Sequence, residues 1–233
     1  MAKKTEQTDK AEERIHAVEE ALGKGEHFIE KNKNLLFYIL IGILVIVGGY
    51  LGYRKFILGP KERDAQAAMW TAERYFEKDS LNLAMNGDGT NLGFVDIASQ
   101  YSSTKSGNLA HYYLGVIYMK KGEFQNAIDN LEDFKSDDMI IGPMAKGLLG
   151  DAYLELGDMD KAIKFYLEAA NKKNNDFTAP MYFMRAGLTY ELKGDYSSAL
   201  AQYEKIKKDY VKSFEAREID KYIARAKALT ATK

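Results

Sequence analysis

The sequence predicts an all-α protein: a single N-terminal transmembrane helix, then an α-solenoid of paired helices closed by a C-terminal helix. Three observations carry this. Residues 35–53 form an uncharged apolar run, a pattern of small and aromatic residues recurs three times downstream, and only three prolines interrupt 233 residues. The same counts exclude several functions. With no cysteine there is no disulfide framework, zinc ribbon, thiol nucleophile or lipid-modified cysteine anchor. His16, His27 and His111 are too scattered for a histidine metal cluster. Lys and Arg number 33 against 34 Asp and Glu, so no global basic field points to nucleic acid. An apolar fraction of 46% is too high for a disordered chain.

The run LLFYILIGILVIVGGYLGY, from Leu35 to Tyr53, covers about 28 Å as a helix, close to the hydrocarbon thickness of a bilayer. Lys31 and Lys33 precede it and Arg54 and Lys55 follow it. Phe37, Tyr38, Tyr50 and Tyr53 sit near its ends, where aromatic rings favour the membrane interface. A buried core helix would need polar residues on some face, and none is present. The span is therefore placed at residues 35–58. A cleaved signal peptide fits poorly, because a long mixed-charge segment precedes the run and no A-x-A pattern follows it. Basic residues do not orient the span: three lie in residues 15–34 (Lys24, Lys31, Lys33) and four in 54–73 (Arg54, Lys55, Lys61, Arg63). Gly48 and Gly52, four residues apart, would let another membrane helix approach, either a partner's or a second copy's. Residues 1–34 form a polar tail. Within it Ile15, Val18 and Leu22 mark one helical face, either on a solvated segment or on a short helix lying on the membrane or on a partner.

Residues 60–233 hold 24 bases and 26 acids and are long enough for a core of their own. Three segments within them align: LGVIYMKKGEFQNAIDNL (Leu114–Leu131), LGDAYLELGDMDKAIKFY (Leu149–Tyr166) and AGLTYELKGDYSSALAQY (Ala186–Tyr203). Each carries a glycine (Gly115, Gly150, Gly187), a tyrosine (Tyr118, Tyr153, Tyr190), a second glycine (Gly122, Gly157, Gly194) and an alanine (Ala127, Ala162, Ala199). The first glycine permits close helix approach. The second, followed by Glu123, Asp158 or Asp195, ends helix A and starts helix B. The alanine sits where the two helices cross, and Leu131, Tyr166 and Tyr203 close each pair. Pro143 and Pro180 are expected to open the second and third copies.

This pattern resembles the tetratricopeptide repeat, a helix–turn–helix unit, over residues 108–207. Departures are His111 and Lys146 at a place where a large apolar residue is usual (Phe183 fits), and Phe134 and Ile206 where Ala169 keeps the usual alanine. Residues 60–107 read as a degenerate helix pair: a long helix over 61–86, the loop NGDGTN, and a second helix marked by Phe94, Ile97, Ala98 and Tyr101. Residues 208–233 supply a C-terminal capping helix and tail.

Chemistry is sparse. His111 sits at a packing position without other ligands nearby in the pattern. NGDGTN offers one carboxylate, Asp88, where an EF-hand needs several. Asp137 and Asp138 read as a solvated turn. No phosphate-binding, nucleophile-elbow or zinc-protease motif occurs. No enzyme and no cofactor are expected.

The solenoid resemblance places the A helices on an inward face. Its inward positions are Leu109, Tyr112, Val116 and Met119 in the first copy, Met144, Gly147, Asp151 and Leu154 in the second, and Met181, Met184, Leu188 and Glu191 in the third. Four of nine methionines fall there, which suits varied apolar segments. Some family members clamp a peptide's terminal carboxylate with Lys, Asn and Arg. Here Tyr112, Val116, Asp151 and Met181 hold those places and only Arg185 keeps a suitable charge, so that mode is not expected.

An N-terminal anchor behind a short polar tail, followed by four helix pairs, resembles the YfgM-type family of bacterial ancillary translocon subunits. KNKNLLFYILIGILVIV and YSSTKSGNLAHYYLGVIYMKKGEFQNAI look like its Bacteroidota version. The resemblance implies a single-pass inner-membrane protein with its N-terminus in the cytoplasm and its repeats in the periplasm. It also implies association with the SecYEG channel and a PpiD-type prolyl isomerase, and hand-over of emerging secretory polypeptides. Besides those partners the chain would contact the lipid bilayer but not nucleic acid. The alternative is a membrane-tethered receptor or scaffold facing the cytoplasm.

Overall fold

The computed structural model describes residues 30–173 and 175–232. The helical face marked by Ile15, Val18 and Leu22 lies outside these residues. The chain divides into two compact units, Met1–Gly59 and Pro60–Lys233.

In the first unit, helix α1 spans residues 30–53 and passes into a π-helical segment, Arg54–Leu58. None of its most apolar window is buried, and Leu44, Val45, Ile46 and Leu51 are all exposed. A helix of this length, apolar on every side, has the composition of a membrane anchor or a signal sequence. It is the one helix among the described residues long and apolar enough to cross a membrane.

The second unit is all helix: α2 (Gly59–Glu77), α3 (Leu81–Asn86), α4 (Phe94–Gln100), α5 (Lys105–Lys121), α6 (Phe124–Asp133), α7 (Ile141–Glu155), α8 (Met159–Lys172), α9 (Thr178–Lys193), α10 (Tyr196–Asp209), a short 3-10 turn (Glu215–Glu218) and α11 (Ile219–Ala231). From α3 to α11 each helix packs on the next, and the successive A helices α5, α7 and α9 also touch one another.

The repeat pattern has a direct steric cause. A Cβ added at Gly150 would stand 2.6 Å from the Tyr166 ring, one at Gly187 2.4 Å from the Tyr203 ring, and one at Gly115 2.5 Å from Leu131. Each first glycine is thus the seat of its own pair's closing residue. Tyr166 and Tyr203 are fully buried, contributing about 2–3 kcal/mol each by burial. Ala127, Ala162 and Ala199 have no exposed surface at the crossing. The second glycine ends helix A in the left-handed conformation, with φ of 73° at Gly122 and 80° at Gly194.

Three expectations are corrected. The predicted long helix over 61–86 is broken: α2 ends at Glu77, Asp79 takes a left-handed φ of 55°, and α3 restarts at Leu81. Backbone N–H groups of Asp79 and Ser80 turn back onto the carbonyls of Phe76 and Tyr75 and stop the helix, while the Asp79 carboxylate accepts from Lys120 Nζ at 2.8 Å. Pro143 and Pro180 do not open α7 and α9 but stand third in each, still inside the first turn where no intrahelical donor is missing. Of the three acids after the second glycines, Asp158 and Asp195 cap their helices through Lys161 N–H and Ser198 N–H. Glu123 does not: its longer side chain reaches Lys121 and Asn126 instead.

The degenerate end packs by rings. Tyr113 of α5 stacks on Phe94 at 4.6 Å and meets Phe76 edge-on at 5.2 Å. Burial, with Glu73 nearby, pushes the Tyr113 hydroxyl up to about 12. Glu62 of α2 accepts from the Lys105 N–H at 2.6 Å and from Ser106 Oγ at 2.7 Å, so it caps the start of α5 across the sequence. Burial opposes its charge, but the bonds from Ser106, Lys105 and Gln66 outweigh that and hold its carboxyl below the usual value. At the other end, α11 packs on α10 and closes the stack.

Candidate functional site

Most of the sequence-predicted residues of the A helices stand at intermediate burial. Leu109, Tyr112, Val116, Met119, Met144, Asp151, Leu154, Met181, Met184 and Arg185 are all half-buried, and Leu188 is exposed. Leu109, Tyr112, Met119, Leu154, Met181 and Met184 pack on the buried clusters while part of each side chain reaches water. Leu109 lines a cleft of about 310 Å³ between α2 and α5, together with Glu62, Gln66, Met69, Glu73, Lys105 and Ser106. Tyr112 leans on Phe134 at 5.3 Å, and burial raises its hydroxyl.

One inward position is filled from inside. A Cβ at Gly147 would lie 2.0 Å from the Tyr182 ring, so the next repeat's tyrosine occupies that place on α7. The surface is therefore interrupted there by the protein's own packing.

Asp151 and Arg185 behave differently from an apolar lining. They form an ion pair in which Arg185 Nη1 of α9 donates to both carboxylate oxygens of Asp151 on α7. Tyr166 Oη, beneath them, donates to Asp151 Oδ1 at 2.7 Å. The Arg185 guanidinium also lies 5.7 Å from the centre of the Tyr182 ring. Burial first, and Asp151 second, push the Tyr166 hydroxyl well above its ordinary value. One step on, Arg225 Nη2 of α11 donates to Glu191 Oε2 of α9 at 2.6 Å. Arg185 thus spends its charge on Asp151. The partners of Asp151, Glu191 and Arg225 were not foreseen. The only signal was an acid on one A helix and an arginine 34 positions later on the next.

Gly48 and Gly52 have open space around any added Cβ. Asp88 is fully engaged by its own loop and α2: it accepts from Thr90 N–H at 2.9 Å, Asn91 N–H at 2.7 Å, Asn91 Nδ2 at 2.8 Å and Tyr75 Oη at 2.7 Å. Those bonds, the Asn91 N–H first, hold its carboxyl far below the usual range. His111 Nδ1 lies 3.2 Å from Asn130 Oδ1, joining α5 to α6. Among the described residues no group of three or more acids and histidines is placed to hold a metal ion.

Tetratricopeptide-repeat profiles match residues 109–138, 145–171 and 182–213. No curated protein matches the chain by sequence. Among solved structures, MamA protein superposes at a TM-score of 0.50 with 19% identity, over 72% of this chain and 88% of that one. The nearly identical TPR-like repeats of a putative kinesin light chain from Podosopora anserina superpose at 0.54 with 14% identity, over 74% and 89%. A point variant of those repeats gives the same figures. At these identities the likeness is one of fold. Repeat scaffolds of this kind are typically non-catalytic and bind other proteins. With three matched repeats and the glycine seats beneath them, the chain is a tetratricopeptide-repeat protein-interaction module with an N-terminal apolar helix.

Proposed function

We propose that the chain is a membrane-anchored, non-catalytic module that holds an apolar segment of a partner protein against α5, α7 and α9. The observation that carries this is the half-buried set Leu109, Tyr112, Val116, Met119, Met144, Met181 and Met184 on those helices. Flexible methionine adapts to varied apolar surfaces, and tyrosine adds rigid contact area at low ordering cost. In this reading residues 35–58 are retained as an anchor, and Gly48 and Gly52 form its contact with another membrane helix.

The finer reading follows the YfgM-type resemblance: an ancillary subunit of the Sec translocon, with the repeats in the periplasm beside SecYEG and a PpiD-type isomerase, receiving emerging secretory chains. The second reading is the opposite orientation, a receptor facing the cytoplasm; four basic residues after the span (Arg54, Lys55, Lys61 and Arg63) against three before it do not separate the two. Protease added to sealed inner-membrane vesicles of known sidedness separates them. Protection of residues 60–233 in inside-out vesicles supports the periplasmic reading, and digestion supports the cytoplasmic one.

The double variant Met181→Glu, Met184→Glu tests the binding face. Helical content by circular dichroism is expected to be unchanged while partner capture falls roughly tenfold. Unchanged capture would remove the A-helix face from the account.

A further inference from the structure

The linkers that precede α7, α9 and the 3-10 turn before α11 repeat a feature that the stacking of helices does not use. The N-cap positions of these three elements are Ile140, Phe177 and Phe214, each 37 residues from the next, where Ser, Thr, Asp or Asn are preferred. Capping is done by neighbours instead. Asp138 Oδ1 accepts from the Ile140 and Ile141 N–H groups, Asn175 Oδ1 from Phe177 and Thr178, and Ser213 Oγ from Ala216. The three apolar side chains are left projecting: Ile140 is 37% exposed, Phe177 67% and Phe214 75%, with Val211 beside the last at 67%.

The linkers adjoin. Asn175 Nδ2 donates to the Met139 carbonyl, joining the second to the first. The second and third face each other across a cleft of about 340 Å³ whose lining includes Asp176, Lys205, Asp209 and Tyr210. Protruding side chains on a set of loop tips suit insertion into a soft surface better than capture of a peptide, which needs a groove. The charges around them point the same way. Lys208 and Lys212 are exposed beside Val211, and the Arg217 guanidinium lies 5.5 Å from the centre of the Phe214 ring. Asp176 and Asp209, the last residue of α10, line the cleft between the linkers, and of the two acids in the turn after Phe214, Glu215 and Glu218, the second pairs with Lys221. Asp137 and Asp138 precede Ile140, the least exposed of the row. Exposed aromatic and aliphatic side chains interleaved with lysine and arginine match the interface of a bilayer carrying anionic headgroups.

We infer that the edge formed by Phe177, Val211 and Phe214 inserts into the interface of an anionic lipid bilayer, with Lys208, Lys212 and Arg217 against its headgroups. This rests on the reading of residues 35–58 as a retained anchor, which keeps the repeats near a membrane.

The chain has no cysteine, so single labels are unambiguous. The full-length protein carrying Phe214→Cys, Phe177→Cys, Val45→Cys or Gln125→Cys is labelled with an environment-sensitive fluorophore. It is reconstituted in vesicles of phosphatidylcholine alone or mixed with phosphatidylglycerol, each with a lipid-borne nitroxide quencher. Quenching and a blue shift at 45 in both lipids report the anchor; their absence overturns the anchor reading itself. With the anchor in place, labels at 214 and 177 are expected to be quenched and blue-shifted only when phosphatidylglycerol is present. Lys208→Glu with Lys212→Glu should abolish the change, and the label at 125 on α6 should stay in water. Labels at 214 and 177 that remain in water on anionic vesicles overturn the inference. So does shielding that needs co-reconstituted membrane protein, which would make the edge a protein contact, and so does equal quenching at 125.

Discussion

The two ends of the A-helix face are built on one backbone plan but with different chemistry. On α5 the lining is Leu109, Tyr112, Val116 and Met119, and the contact to α7 is apolar. From α7 to α11 the successive A helices are joined by Asp151–Arg185 and Glu191–Arg225, with Tyr166 and Tyr203 buried beneath. The closing residues differ accordingly, Leu131 at the first pair and tyrosine at the next two. A tyrosine carries a hydroxyl that must be placed, and at the second pair it is placed on the carboxylate of the ion pair. The polar groups toward α11 are thus spent on holding the stack together, which leaves the apolar positions of α5, α7 and α9 to meet a partner.

Volume at the glycine seats tests this most severely. Gly187→Val drives a methyl-bearing carbon into the rigid Tyr203 ring and is expected to cost about 3 kcal/mol in urea unfolding. Gly115→Val meets the flexible Leu131 and should cost about 1–2 kcal/mol. Equal costs would show that the closing ring does not stiffen the charged end.

The ion pair comes next. Asp151→Ala leaves Arg185 and the Tyr166 hydroxyl without their partner, for an expected loss of about 1–2 kcal/mol at this half-exposed site. Removing Arg185 as well should restore part of it, because the uncompensated cation is gone. Val116→Ala, the counterpart on α5, is expected to cost under about 1 kcal/mol. A costlier Val116 would reverse the contrast.

The smallest effect is acidic. Glu62 has its carboxyl held below the ordinary 4.5 when folded. Its contribution is therefore complete above that pH and lost as pH falls through the lowered folded value. Glu62→Gln should flatten the acid side of the stability profile without changing binding at Tyr112.

The repeats were legible because steric rules leave few choices: a glycine beneath a closing residue and an alanine at a crossing recur whatever surrounds them. The apolar helix was legible by length alone. The break at Asp79 was not, since a single left-handed residue in an otherwise helical pattern leaves no periodic trace. Nor was the plugging of Gly147 by Tyr182, because contacts between repeats depend on how far one pair rotates over the next. The ion pairs escaped for the same reason. Capping divided by side-chain length: Asp158 and Asp195 reach their N–H groups, and Glu123 overshoots.

A photoreactive side chain placed singly at Tyr112 or at Glu191 in the full chain, activated in intact membranes, tests the central claim that the apolar positions of the A-helix face hold a partner protein. The account predicts a discrete protein adduct from 112, weakened by Met181→Glu with Met184→Glu, and little from 191. Adducts from 191 as strong as those from 112, or none from 112, would contradict it.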